Sequence, residues 1–408
     1  MPRGQKQDLN PSVNSSHRRE VPEAWDALTL ESARSSMAST TFNLILRISE
    51  MTARESGCAD VRPARLQGNG LMINPRAVQR QQGTRGARSF ATPKGREENR
   101  PVKPDMRVSF AGLELTNPVI AASGTFGYGI EFEEIVSLEK LGAIVTKGIS
   151  LEPMAGHAPP RIVQTAAGML NAIGLQNVGV EDFLERKLPP MSRHPSCKVI
   201  VNIFGHTVNE YVGVIDRLND AEGISAYELN ASCPNVQAGG MAFGTDPYSL
   251  EELVERTKRV AIHPLIVKLS PNVTSIGTMA RVAAEAGADA VSLVNTFLAM
   301  SIDAETRRPR LSNVSGGLSG PAIKPIALRM VYGVARAVNI PILGMGGIIT
   351  AEDAVEFMLA GATAVEVGTA SYADPRAAER LATGLESWCK SHDVEKVASL
   401  TRGLKSRE

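Results

Sequence analysis

The sequence has few cysteines, and they are not clustered. Its four cysteines lie far apart and form no CxxC or CxxH pair: Cys58, Cys197, Cys233 and Cys389. A zinc site or an iron–sulfur cluster needs closely spaced thiols, and a disulfide framework needs many cysteines in a short chain. None of these is predicted. The six histidines show no ligand spacing either, so no metal site is assigned.

A strong charge of one sign and a long apolar run are lacking as well. The formal net charge is +1, which argues against the basic surface of a nucleic-acid-binding protein. The longest apolar runs have the length of a strand, well short of the roughly 20 residues that a membrane helix needs. We therefore expect no nucleic-acid partner, no membrane span and a cytoplasmic location.

The first hundred residues differ from the rest in charge and composition. They carry 16 Lys/Arg against 10 Asp/Glu, whereas residues 101–408 carry 28 against 33. Ser-rich and Arg/Gln-rich stretches with little periodicity predict an extension over residues 1–104 that is largely disordered. Its acidic residues argue against an organelle transit peptide. The alternative is an extended start, with the working protein beginning near Asp105.

Eight short apolar runs, rich in β-branched residues, alternate with helical patterns from residue 117 onward. This alternation is typical of repeated β-α units, and eight units within about 270 residues predict a (β/α)8 barrel. Helices are predicted over 249–261, 274–286 and 351–360, with Gly287 and Gly361 as stops for the last two. The runs cover residues 118–124, 143–149, 198–205, 226–232, 264–270, 290–296, 341–348 and 364–370.

The ends of these runs are polar, where a barrel of this type places its active site. Apolar strands that end in Lys, Asn and Cys indicate a site for an anionic ligand that accepts and donates hydrogen bonds. The last two runs end in glycines, in GMGGI (344–348) and EVGTA (366–370). Glycine lets backbone N–H groups approach a phosphate, and a following helix N-terminus would add a favourable dipole. A phosphorylated cofactor is therefore expected there.

Three side chains at the strand ends are candidates for chemistry. Lys147 and Lys268 lie on the second and fifth runs, and an ammonium inside a barrel is costly unless it meets an anion. We therefore expect both to contact a ligand. Cys233 follows the fourth run in NASCPN. A lone cysteine is usually an inert small side chain, but a polar setting that favours the thiolate would let Cys233 serve as a base.

Taken together, the motifs resemble those of the class 1 dihydroorotate dehydrogenases from about residue 105 to the C-terminus. They include AASGTFGYG (121–129), ELNASCPN (228–235) and VKLSPN (267–272), and MLNAIGLQN (169–177) and GGLSGPAIKP (316–325) are similar to type B, which passes electrons to NAD through a partner subunit. The resemblance implies that residues 105–408 are an FMN-binding catalytic barrel that oxidises dihydroorotate to orotate in pyrimidine biosynthesis. Departures are small: Ala231 often has a larger β-branched counterpart, and Gln237 often a lysine.

The resemblance also implies a role for particular residues. Cys233 would be the catalytic base. FMN contacts are implied for Ser123, Lys147, Gly148, Asn202, Asn230, Lys268, Val294, Gly320, Gly346, Gly347, Gly368 and Thr369. Substrate contacts are implied for Lys147, Asn171, Ala172, Ile173, Gly174, Leu175, Asn230, Asn295 and Thr296.

Electron transfer to NAD would need a second protein. The chain offers no GxGxxG turn that opens a convincing dinucleotide-binding unit, and its cysteines are scattered. The resemblance implies a separate subunit with FAD and a 2Fe-2S cluster, joined to a homodimer of this chain in a heterotetramer. Three alternatives stay open: a flavin subunit similar to dihydropyrimidine dehydrogenase, a non-redox phosphate-binding barrel enzyme, and a binding module with a decayed site.

Overall fold

The computed structural model of the chain describes residues 103–231 and 243–406. Two of the sequence predictions fall outside these residues. They are the disordered extension, of which only the last two residues are described, and the base Cys233.

Eight parallel strands form a closed barrel, as predicted. Each strand lies within one of the eight predicted runs, and all of them are buried on both faces along most of their length because helices cover the outside and side chains fill the inside. In chain order the strands are β1 (Val119–Ala121), β2 (Ala143–Val145), β3 (Lys198–Ile203), β4 (Ala226–Asn230), β5 (Leu265–Lys268), β6 (Ala290–Leu293), β7 (Ile342–Met345) and β8 (Ala364–Val367). Neighbours in sequence are neighbours in the barrel, and β8 closes it by pairing with β1.

An α-helix follows seven of the eight strands, and the three predicted helices are confirmed. The α-helices are α1 (Val180–Asp182, continued by a π turn over Phe183–Lys187), α2 (Val208–Leu218), α3 (Pro247–Val260), α4 (Ile276–Glu285), α5 (Lys324–Ala335), α6 (Ala351–Ala360), α7 (Ala370–Ala373) and α8 (Ala377–Ser391). The link after β1 holds two 3-10 turns, Ile130–Phe132 and Leu138–Lys140. Further 3-10 turns are Pro189–Arg193, Phe243–Thr245, Pro321–Ile323 and Val397–Leu400.

Side-chain caps fix where four of these helices begin. Thr207, Asp246, Ser275 and Thr350 each accept a hydrogen bond from the backbone N–H three residues later. Such a cap satisfies one of the N–H groups that a helix leaves without an internal partner. Gly361, with a φ of 130°, then ends α6 as predicted, because it adopts a backbone conformation that strains other residues.

A four-stranded antiparallel sheet, which the sequence analysis did not predict, is inserted after β2 and β6. Its strands, in spatial order, are Phe297–Met300, Ser315–Ser319, Gly168–Asn171 and Ile162–Thr165. Because both insertions leave the barrel at the carboxyl ends of its strands, the sheet lies at the end where the active site is expected. It contributes the strand that ends at Asn171 and the turn at Gly320.

The remaining β-strands of the described residues form two short antiparallel pairs. Val108–Phe110 pairs with Leu113–Leu115 before β1, and Ile302–Asp303 pairs with Arg308–Pro309 in the insertion after β6. Asp105 bonds through its backbone to Glu395 and Val397, which attaches the start of the barrel region to its C-terminal segment. Within 103–231 and 243–406, none of the helices combines the length and the apolar character that crossing a membrane demands.

Candidate active site

Polar side chains at or just after the ends of β1, β2 and β3 meet at one part of the carboxyl-terminal rim. The Ser123 hydroxyl donates to the Thr146 carbonyl at 2.7 Å. The Thr146 hydroxyl accepts from the backbone N–H of Asn202 at 3.2 Å. A Cβ placed on Gly148 would lie 2.9 Å from Asn202 Oδ1, an oxygen that is buried and has no hydrogen-bond partner among the described residues. The structure therefore brings the predicted FMN contacts Ser123, Gly148 and Asn202 together.

A buried charge cluster lies beside this part of the rim. Lys268 Nζ lies 3.3 Å from Glu228 Oε2 and 3.4 Å from Glu366 Oε2, and both carboxyl side chains are fully buried. Glu228 also accepts from Asn202 Nδ2 at 2.6 Å and from the Ser292 hydroxyl at 2.7 Å. These ion pairs and hydrogen bonds join β3, β4, β5, β6 and β8 across the barrel interior. We call Glu228, Lys268 and Glu366 the buried charge cluster.

The members of the buried charge cluster shift one another's protonation. Burial opposes the Lys268 ammonium, but the charges of Glu228 and Glu366 outweigh it and raise the pKa of Lys268. Burial and the charge of Glu228 raise the pKa of Glu366 well above its usual range, against the pull of Lys268. The anion that the sequence analysis expected for Lys268 is thus supplied by the chain itself. Contact between Lys268 and FMN remains a prediction. The cost of burying the ammonium no longer requires that contact, because Glu228 and Glu366 already compensate the charge.

A second group of predicted residues meets where β4 and β6 end. Asn295 Nδ2 donates to Asn230 Oδ1 at 3.2 Å. A Cβ on Gly317 would lie 2.0 Å from Thr296 Oγ1, so the inserted sheet packs directly against this strand end. From that sheet, Asn171 Nδ2 donates to the Gly317 carbonyl at 3.3 Å. Four predicted substrate residues, Asn171, Asn230, Asn295 and Thr296, are therefore close together.

Glycines form a narrow cradle where β7 and β8 end. Gly346, Gly347 and Gly320 have φ angles of 124°, 81° and 98°. A Cβ on Gly347 would lie 2.8 Å from the Gly320 carbonyl oxygen, and one on Gly346 would lie 2.7 Å from Ala327 Cβ, so side chains are excluded. Thr369 Oγ1 donates to Ser319 Oγ at 2.8 Å, which closes the cradle toward the inserted sheet.

Gly368 differs from the other glycines of the cradle. A Cβ there would meet Ala122 Cβ at 3.5 Å, an ordinary van der Waals contact, so the surrounding protein does not itself exclude a side chain. Gly368 is half-buried. A glycine that packing does not require is suited to close approach of its backbone by a ligand phosphate. Val294, the remaining predicted FMN contact, bonds through its N–H to the Met345 carbonyl at 3.1 Å and lies next to Gly346.

The sequence analysis expected the N-terminus of a following helix to favour the phosphate through its dipole. The helix after β7 does not fit this expectation. Asp353 in the first turn of α6 accepts from the N–H groups of Ile349 and Thr350, both at 2.8 Å. This capping box already occupies the N-terminus and places a carboxylate there. The helix after β8, α7, has four residues only. We therefore expect the glycine backbone, rather than a helix end, to hold the phosphate.

Two residues of the predicted substrate segment 171–175, Gly174 and Leu175, line a surface cavity. The cavity has a volume of about 260 Å³ and is lined by residues that include Met154, His157, Gly174, Leu175 and His206. His157 holds the segment in place. Its backbone N–H donates to the Ile173 carbonyl at 2.9 Å, and its ring nitrogen Nδ1 lies 3.1 Å from the Ala172 carbonyl oxygen. Ala172, by contrast, is buried in a small apolar cluster with Leu170 and Leu311.

Sequence reasoning missed Glu228, Glu366 and Ser292, although a signal was present. A carboxylate in the interior of an apolar barrel strand is as costly to bury as the two lysines that were singled out. ELN and EVG each place a glutamate in such a position.

Lys147 is half-buried just after the end of β2, and its backbone N–H donates to the Gly127 carbonyl at 2.8 Å.

Among the described residues, no group of three or more His, Cys, Asp or Glu side chains could hold a metal ion.

Comparisons with known proteins agree on one family. A family model described as dihydroorotate dehydrogenase matches residues 105–388. The chain is 55% identical over 302 residues to a protein of Geobacter sp. (strain M21) named "Dihydroorotate dehydrogenase B (NAD(+)), catalytic subunit", which covers 74% of this chain and 99% of the relative. A relative with the same name from Geobacter sulfurreducens is 56% identical over 302 residues, with the same coverage.

A solved structure supports the fold. The chain is similar to dihydroorotate dehydrogenase from Eimeria tenella, crystallised with ferulenol, with a TM-score of 0.62 and 22% identity. The likeness covers 76% of this chain and 90% of that one. At this level of identity it is evidence for the barrel alone.

Proposed function

This chain belongs to the dihydroorotate dehydrogenase family, and we propose that it oxidises dihydroorotate to orotate with FMN as its cofactor and NAD as the final electron acceptor. The observation that carries the proposal is the near-complete match to the relatives, 99% of whose length is covered at 55% identity. The reaction belongs to pyrimidine biosynthesis. We also propose a cytoplasmic location.

The residues of the site fit FMN. Gly320, Gly346 and Gly347 pack closely against the chain's own atoms, and Gly368 does not, so the backbone of Gly368 would be the part of the cradle that a phosphate approaches. The buried Asn202 Oδ1, which has no partner among the described residues, would accept a hydrogen bond from a ring N–H. Lys268 would place a positive charge near the ring edge where negative charge gathers on reduction. Ser123, Lys147, Gly148, Asn230, Val294, Gly368 and Thr369 would complete the FMN contacts.

Substrate would be bound between the inserted sheet and the strand ends. Asn171, Asn230, Asn295 and Thr296 supply amide and hydroxyl groups that suit the ring amides and the carboxylate of orotate. Lys147 and the segment 172–175 would complete the contacts. Cys233 would remove the proton from carbon 5 of dihydroorotate, and FMN, when bound, would accept the hydride from carbon 6.

The purified chain is expected to show flavin absorbance that bleaches when dihydroorotate is added without oxygen. The bleaching follows from hydride transfer to the flavin, which ends its visible absorbance. The measurement is a visible spectrum before and after substrate, with dihydrouracil as the matched control because it lacks the carboxylate. A colourless chain would favour a non-redox barrel enzyme, and bleaching by dihydrouracil alone would favour the dihydropyrimidine alternative.

We propose that the domain boundary lies at residue 105. The family match begins there, the relatives align with only 74% of this chain, and Asp105 is bonded to the C-terminal segment. Residues 105–408 would be the catalytic domain and residues 1–104 an added segment.

We propose further that a homodimer of this chain joins a partner subunit that carries FAD and a 2Fe-2S cluster in a heterotetramer. The relatives' name, "catalytic subunit", supports a partner. The scattered cysteines and the lack of a convincing GxGxxG unit support electron exit through another protein.

The isolated chain is expected to reduce ferricyanide with dihydroorotate but to give little NADH until the partner is added. Substrate and NAD cannot both occupy the single flavin site that the sequence indicates. NADH absorbance is followed with and without the partner subunit, and ferricyanide reduction serves as the control for an active preparation. Robust NAD turnover by the isolated chain would contradict the partner, and efficient turnover with fumarate alone would indicate type A.

A further inference from the structure

The buried charge cluster holds two carboxyl groups but one ammonium. Glu228 and Glu366 are 0% and 1% exposed, and Lys268 is 5% exposed. If both carboxyl groups were ionised, the barrel interior would hold an uncompensated negative charge, which is costly without water. Two carboxylates that share such a site therefore keep one proton between them.

Hydrogen bonds indicate which carboxyl group holds the proton. Glu228 accepts from Asn202, Ser292 and Lys268, and hydrogen bonds to a carboxylate favour its charged form. Glu366 accepts from Lys268 through Oε2, while Glu366 Oε1 is buried without a partner among the described residues. A carboxylate oxygen can only accept, so a proton on Glu366 gives it a bond to donate. Lys268 Nζ contacts both carboxyl groups, so they lie close to each other. Burial and the nearness of Glu228 act together to raise the pKa of Glu366.

We propose that Glu366 carries a proton and donates a hydrogen bond to Glu228. Glu366 would thereby be a positioning residue, because it leaves the buried charge cluster without a net charge and holds the Glu228–Lys268 ion pair in place. The part that concerns the cofactor rests on the proposed function. The groups that face Glu366 are Glu228 on β4 and Lys268 on β5. With one positive and one negative charge in the cluster, Lys268 stays available to the negative charge that gathers on a reduced flavin ring. An ionised Glu366 would instead oppose that charge.

Three variants and two readouts test the proposal on the full-length protein. Glu366→Gln keeps a neutral side chain that can donate to Glu228, Glu366→Leu removes the donor, and Glu228→Gln is the matched control at the other carboxyl group. The first readout is the infrared carbonyl band of a protonated carboxylic acid at neutral pH. The second is the dissociation constant for FMN, measured together with the thermal unfolding temperature.

We expect the acid band in the wild-type protein and its loss in Glu366→Gln. Glu366→Gln is expected to keep an FMN affinity and an unfolding temperature near those of the wild type, whereas Glu366→Leu weakens FMN binding by about tenfold because the charged Glu228 loses a donor. Glu228→Gln is expected to be more damaging than Glu366→Gln, because the negative charge must move to the carboxyl group with fewer donors.

Two results would overturn the proposal. A wild-type spectrum without the acid band would mean that both carboxyl groups are ionised. A reversed ranking, with Glu228→Gln mild and Glu366→Gln as damaging as Glu366→Leu, would place the proton on Glu228. The infrared band and the unfolding temperature can be measured without flavin. If the chain fails to bleach with dihydroorotate, the proposed function is contradicted, and these two measurements still test the protonation of Glu366.

Discussion

Replacing Cys233 with serine is expected to slow reduction of the bound flavin by dihydroorotate about 10²- to 10⁴-fold at neutral pH, with FMN still bound. A thiol has an ordinary pKa of about 8.5, and serine has a similar shape but is a far weaker acid, so it cannot supply the base in its ionised form. The measurement is single-turnover flavin bleaching in a stopped-flow instrument without oxygen. This decrease in rate is the one that removal of a general base typically causes.

Cys58→Ser is the control for this experiment. Cys58 lies outside the family match, which begins at residue 105, so its replacement should leave the bleaching rate unchanged. Equal bleaching rates in Cys233→Ser and the wild-type protein would remove Cys233 from the role of base. A Cys233→Ser protein that loses its flavin colour would indicate a binding role instead.

Replacing Lys268 with methionine is expected to lower the free energy of unfolding by about 3–5 kcal/mol. Methionine keeps the length of the side chain but removes the ammonium, and breaking a buried ion pair from one side leaves a charge in the dry interior. Lys268 is 5% exposed, and both of its carboxyl partners are buried. The measurement is urea unfolding at neutral pH, with and without added FMN, so that the loss of a bound cofactor can be separated from the loss of the ion pair.

Lys140→Met is the matched control. Lys140 Nζ lies 2.6 Å from Glu379 Oε1, closer than the contacts of Lys268, but its side chain is 54% exposed. Water screens such a pair, so its loss should cost about 0–1 kcal/mol. Similar losses for the two variants would mean that the buried charge cluster is not a buried ion pair in solution.

The barrel could be predicted from the sequence because its signal is local. Each strand is a short apolar run, such as KVIVNIFG (198–205), and each predicted helix has its own stop or cap within a few residues. Counting eight such units was sufficient to infer closure. The four-stranded insertion could not be predicted in this way. Gly168–Asn171 pairs with Ser315–Ser319 across more than a hundred residues, and pairing at that distance leaves no periodic mark in either segment.

Many of the site residues could be predicted because polar side chains and glycines at strand ends are visible in a sequence. Asn202, Asn230, Asn295 and Thr296 are at the rim, as expected from the barrel. Their contacts were not predictable, since the side chains that meet come from different strands. The cradle is an example, because Gly320 in the insertion after β6 lies against Gly347 after β7.

The sequence by itself determined the fold class, the end of the barrel that holds the site, and the residue types available there, because these depend on local patterns and on the order of the strands. Only the tertiary structure decided what Lys268 contacts. The cost of burying its ammonium led us to expect an anionic ligand. In the structure the negative charge comes from Glu228 and Glu366, which lie 40 and 98 residues away in sequence. A buried charge needs an opposite charge nearby, but the closure of the barrel decides whether a ligand or the chain supplies it.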